Sequence, residues 1–151
     1  MNNYSSLVEA IVKSEMEGQP KHELVLLLGE TPSYLIKHCG FPPLPLSIQG
    51  KIISKAVFDH GIPTSFLKRL QTIIIENEPK CVFTPADPRH QGSVVVLTLE
   101  QHRGAPIIIP IRMTQKIGRN QTHNLITSVY GKEGPDPEVK WKADGLLIWE
   151  P

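Results

Sequence analysis

The stretch "GSVVVLTLEQHRGAPIIIPIRMT", Gly92 to Thr114, decides the fold class. Two runs rich in Val and Ile flank "HRGA", where Gly104 suits a tight turn. The stretch therefore reads as an antiparallel hairpin. Pro110 has no N–H to give to a ladder, which predicts an edge strand or a bulge there. Period-two patterning extends to both sides. "KCVFTP" reads as a short strand before the hairpin. "HNLITSVYG" reads as a strand after it, stopped by Gly131. "GKEGPDPE" is a turn-rich loop and "DGLLIWEP" a closing strand.

Upstream the period is helical. Leu7, Val8, Ile11 and Val12 form a stripe within Ser5 to Glu17, and Gly18 follows as a stop. "HELVLLLGETP" is a short apolar run compatible with helix or strand. In "TPSYLIKHCG", Thr31 reads as a helix cap, Pro32 as a first-turn residue and Gly40 as the end. Pro42, Pro43 and Pro45 impose an extended connection. A further helix is expected in "SIQGKIISKAVFDHG", with Ser47 as its cap, Gly61 as its terminator and Ile52, Ile53, Ala56 and Val57 inward. Another starts at Pro63 and Thr64, turns Phe66, Leu67, Leu70, Ile73 and Ile74 inward, and ends at Pro79. Helices followed by an antiparallel meander define an α+β class.

The 151 residues suit a single domain, and 40% hydrophobic content is that of a globular chain. The two cysteines, Cys39 and Cys81, are too few for a disulfide scaffold and read as ordinary buried thiols in a reducing compartment. No window approaches the ~20 apolar residues of a membrane span. Met1 to Gly18 lacks the basic start and apolar run of a leader. The expectation is a cytoplasmic protein without a membrane partner. The histidines are scattered, with no HxH or HExxH, so no metal is expected. No GxxxxGK[ST], GxGxxG or GxSxG occurs, so no cofactor is expected either.

The formal net charge is +1, which exerts no general pull on nucleic acid. Its distribution is uneven. From Gln101 to Lys132 there is no Asp or Glu, but there are Arg103, Arg112, Lys116, Arg119, Lys132, His102 and His123. Two readings stand. The segment is a solvated hairpin edge that discourages strand pairing between molecules, or it is a positive surface. On the second reading Arg112, Lys116 and Arg119 are candidate substrate-binding residues.

Alternation along "NQTHNLITSVYGK" sets Asn124, Ile126, Ser128 and Tyr130 on one face, and His123, Leu125, Thr127 and Val129 on the other. The second set is mostly apolar and is expected against a helix. The first offers an amide, a hydroxyl and a phenol, neutral donors suited to a phosphate. The same groups also serve ordinary hydrogen bonding at a sheet edge. His60 stands at a helix end, where it either caps the helix or acts as a general acid or base. Lys55 precedes it by five residues, about 140° away around an ideal helix. A pair with Asp59 at i+4 is its plainer role.

In order along the chain, "LLGETPSYLIKHCG", "LPLSIQGKIISKAVFDHG", "PKCVFTP", "SVVVLTL", "APIIIPI" and "HNLITSVYGK" resemble the MuF-type phage C-terminal domain. That domain is grouped with the barnase-EndoU-colicin-RelE-like (BECR) ribonuclease toxins. The resemblance covers Glu23 to Pro151 and leaves residues 1–22 as an N-terminal helical extension. It implies N-terminal helices packed on a four- to five-stranded antiparallel sheet. It also implies a metal-independent ribonuclease in which a 2′-hydroxyl attacks the adjacent phosphate to leave a cyclic phosphate. On the matching positions His60 would be the acid or base, Lys55 the cation and Ser128 the phosphate ligand, with Asn124 and Tyr130 beside it. Such an enzyme would have RNA as substrate and an immunity or antitoxin protein as partner.

A second reading is a catalytically inactive phage or mobile-element protein that binds and inhibits a host protein. A third is a nucleic-acid-binding module. Against the third, aromatics are only 6% and do not interleave with basic residues, so no stacking platform is evident.

Overall fold

The computed structural model describes residues 3–151. In chain order the elements are α1 (Tyr4–Met16), β1 (Val25–Glu30), α2 (Ser33–Cys39), β2 (Pro45–Gln49), α3 (Gly50–Phe58), α4 (Thr64–Lys68), β3 (Cys81–Phe83), β4 (Ser93–His102), β5 (Ala105–Lys116), β6 (Thr122–Ile126), β7 (Tyr130–Gly131), α5 (Pro137–Ala143) and β8 (Leu147–Trp149). A π-helical turn over Gln71–Glu76 continues α4, and a 3₁₀ turn covers Pro88–His90.

The class is α+β, but the sheet is larger and less regular than four or five antiparallel strands. Eight strands form one sheet in the order β1-β2-β6-β5-β4-β3-β8, with β7 added on β5. β2 and β6 run parallel, which makes the sheet mixed. Two strands lie in the half read as helical. "VLLLGE" is a strand because Leu26 and Leu28 are buried while Leu27 between them faces out. Ser47 belongs to β2 and caps no helix; its hydroxyl lies 2.5 Å from His123 Nδ1. Thr31 does not cap α2 either. Its hydroxyl donates to the Leu44 carbonyl, and Pro32 takes the cap position.

One face of the sheet carries the main core. Leu26, Leu28, Leu46, Ile48, Ile107, Ile109, Ile111 and Ile126 meet α1 through Val8 and Ile11, α3 through Ile53 and Ala56, and α4 through Phe66 and Leu67. α1 is anchored by the Tyr4 hydroxyl, which donates to the Leu67 carbonyl. A smaller cluster on the other face gathers Cys81, Phe83, Leu97 and Ile108, with Trp141 of α5 set edge-on to Phe83 at 5.2 Å. Burial pushes both cysteine thiols up to about 11, so they remain protonated.

The expected strand from His123 to Tyr130 is two strands. β6 stops at Ile126, and β7 resumes at Tyr130 against Ile108. Pro110 supplies the cause. It is in β5, an interior strand of the sheet and not an edge, and it faces Val95 of β4 on one side. Its carbonyl accepts from Thr127 N–H on the β6 side. A residue's N–H and C=O point to the same neighbour in an antiparallel ladder. The missing N–H of Pro110 therefore faces the gap between β6 and β7, and β4 loses nothing.

The gap also changes the phase. Asn124 and Ile126 face the main core, and Val129 is buried in it as well. Strict alternation would send Tyr130 to the core face, yet it packs with the cluster on the other face. One irregular step turns every later side chain over. Asn124 and Tyr130 thus lie on opposite faces.

Candidate functional site

The end of α3, the β4–β5 turn and β7 meet at one edge of the sheet. α3 ends at Phe58, and the Asp59 and His60 N–H groups both donate to the Lys55 carbonyl. The chain then turns at Gly61 with φ of +68°, a left-handed value. A methyl group placed on Gly61 would lie 3.3 Å from His102 Nε2. The His102 ring is thus set directly against the turn that follows His60. The β4–β5 turn places both central residues at positive φ, Arg103 at 52° and Gly104 at 80°, the geometry of a tight two-residue hairpin.

His60 and Tyr130 rings are 5.6 Å apart between centroids and tilted by 41°. His60, His102, Arg103, Tyr130, Lys132, Asp59 and Glu133 all line one open hollow of about 390 Å³. It brings together two imidazoles, a guanidinium, an ammonium, a phenol and two carboxylates. Burial raises the Tyr130 phenol above its ordinary range. It is therefore a neutral hydroxyl able to donate.

A second hollow of about 420 Å³ also has Tyr130 in its wall. Arg112, Ser128, Thr127, Ser93 and His90 line it together with that phenol. Arg112 reaches it because it shares a strand face with Ile108 and Pro110 and pairs with Ser93. His60 and Ser128 thus look into neighbouring hollows that share Tyr130.

The remaining sequence candidates lie elsewhere. Asn124 is fully buried, and its amide is engaged within the protein. Nδ2 donates to Thr31 Oγ1 at 2.7 Å and to the Pro42 carbonyl at 3.1 Å, and Oδ1 accepts from Thr114 N–H at 3.1 Å. Thr114 is the bulged residue of β5, with φ of +57°. Lys55 is exposed and forms no ion pair with Asp59 or any other described residue. Lys116 and Arg119 are exposed at the far end of β5 and in the loop beyond it. Among the described residues no three His, Cys, Asp or Glu side chains are grouped as a metal site. Among the described residues no helix is long and apolar enough to cross a membrane.

His102, Arg103, Lys132 and His90 were not among the sequence-derived site residues. The first three fall inside the acid-free segment, which is the signal that could have found them. His90 has no such signal, because its turn is placed beside Tyr130 only by tertiary folding.

The chain belongs to a phage family, the MuF-C-terminal domain, whose model matches residues 51–150. That span takes in α3 from Lys51 onward, the turn at His60, the hairpin, β7, α5 and β8, and so holds both hollows. No curated protein and no solved structure matches the chain.

Proposed function

We propose that this protein is a metal-independent ribonuclease, a toxin of the BECR group, with its reaction centre between His60 and His102. The observation that supports it is that both imidazoles line one hollow with Arg103 and Lys132. Imidazole is the side chain suited to act as acid or base near neutral pH. One ring would take the proton of the 2′-hydroxyl as its oxygen bonds to phosphorus. The other would protonate the 5′-oxygen as its bond to phosphorus breaks. The products are a 2′,3′-cyclic phosphate and a free 5′-hydroxyl. Arg103 and Lys132 would stabilise the charge on the phosphorane, and the Tyr130 hydroxyl would donate to a non-bridging oxygen. Arg112 and Ser128 in the adjoining hollow would hold a neighbouring phosphate. Lys55, the cation expected from the resemblance, has no part in this scheme.

The test is incubation of the purified protein with tRNA and total RNA, beside His60→Ala and His102→Ala. Cleavage that leaves cyclic phosphate ends and is lost in both variants supports the reading. Growth inhibition on expression in bacteria that survives both substitutions would instead favour a protein that binds and blocks a host factor.

A further inference from the structure

A third hollow adjoins the first two. Pro85, Val95, Ile108, Pro137, Tyr130 and Trp141 are among the residues that wall it, and its volume is about 380 Å³. It shares Tyr130, Lys132 and Glu133 with the His60–His102 hollow. It shares Pro85, His90, Val95 and Tyr130 with the Arg112–Ser128 hollow. The three are therefore contiguous. The His60–His102 hollow is mostly polar, whereas the other two expose mostly apolar surface, and the middle one also has Asp87, His90, Lys132, Glu133 and Lys140 in its wall.

A polar, cationic hollow beside one walled largely by apolar and aromatic side chains suits a phosphate and the base next to it. Resting on the ribonuclease reading, we infer that the middle hollow is a nucleobase subsite, holding the base next to the scissile phosphate against Tyr130 and Trp141. An apolar hollow with two aromatic side chains suits the π-face of a base. Lys132 at the shared rim ties the base to the phosphate it carries. Trp141 is only partly buried, so its ring is accessible from the hollow, while its edge contact with Phe83 fixes its position at 5.2 Å. The stacking groups are eleven positions apart in sequence and on different elements, so no interleaved motif announces them.

The experiment follows backbone and indole N–H signals by NMR while adenosine 3′-monophosphate, cytidine 3′-monophosphate or inorganic phosphate is added. The nucleotides should shift the Trp141 indole, whereas phosphate alone should shift the regions of His60, His102 and Lys132 and of Arg112 and Ser128 and leave that indole in place. Trp141→Ala should weaken nucleotide binding about tenfold, as loss of one stacking partner does, and leave phosphate binding unchanged. Trp141→Phe, which keeps a ring against Phe83, should bind within a fewfold of the native protein and guards against misfolding of the alanine variant. Cleavage of RNA with no nucleotide response at Trp141 overturns the subsite and leaves the ribonuclease reading intact. A nucleotide seated at Trp141 without any cleavage upholds the subsite and removes the catalytic reading. No nucleotide response and no cleavage overturns both.

Discussion

Replacing Asn124 with alanine tests whether that amide serves the fold or a substrate. The side chain is fully buried and ties three separate segments together: Thr31, Pro42 and the bulged Thr114. Alanine leaves the Pro42 carbonyl and the Thr114 N–H without their partner. Thr31 Oγ1 still donates to the Leu44 carbonyl, so it is not orphaned. A buried unsatisfied group costs about 1–3 kcal/mol, and the two bonds at issue are only partly buried, which favours the low end. The expected loss is about 2–4 kcal/mol, a large share of the roughly 5–15 kcal/mol that holds a domain folded. Urea unfolding measures it. The midpoint should fall while the slope with denaturant stays constant, because the surface exposed on unfolding hardly changes. An alanine variant as stable as the native protein but defective in binding RNA would refute the structural assignment and return Asn124 to the substrate.

Two further predictions concern stability. Gly50→Ala should destabilise by about 1–3 kcal/mol or more, because a methyl group there would sit 2.1 Å from the Lys21 carbonyl oxygen and force backbone apart; thermal unfolding reads the loss. Burial holds His123 below the ordinary histidine value, so the folded state resists protonation more than the unfolded chain does. This contribution is present above about pH 6.5 and is lost as pH falls through the lower folded value. His123→Gln should flatten the decline of the urea midpoint between pH 7 and pH 5, and an unchanged decline would contradict the assignment.

The hairpin was legible because β-branched runs and a glycine turn agree on one structure. α1 was legible because its stripe is uninterrupted. β1 was ambiguous because "LVLLLG" fits a buried helix as well as a strand by period, and only pairing with β2 decides. α5 was hidden in a turn-rich segment, because its two turns are too short for a clear stripe and its cap is Asp136 beside Pro137. Pro110 was visible as an irregularity, but which neighbour would lose its hydrogen bond depends on strand order, and that choice reversed the phase of Tyr130. At the candidate site, chain order alone could present His60, Ser128 and Tyr130 as separate residues. The meeting of His60 with His102 joins a helix end to a hairpin turn distant in sequence, and local patterning does not encode it.

The measurement that bears most directly on the account is the rate of RNA cleavage by the native protein, His60→Ala and His102→Ala, with the new ends identified. Loss of about 10²- to 10⁴-fold in each variant, with 2′,3′-cyclic phosphate ends from the native protein, is the predicted result. Native protein that cuts none of several RNAs, or variants that cut as fast as it does, would contradict it.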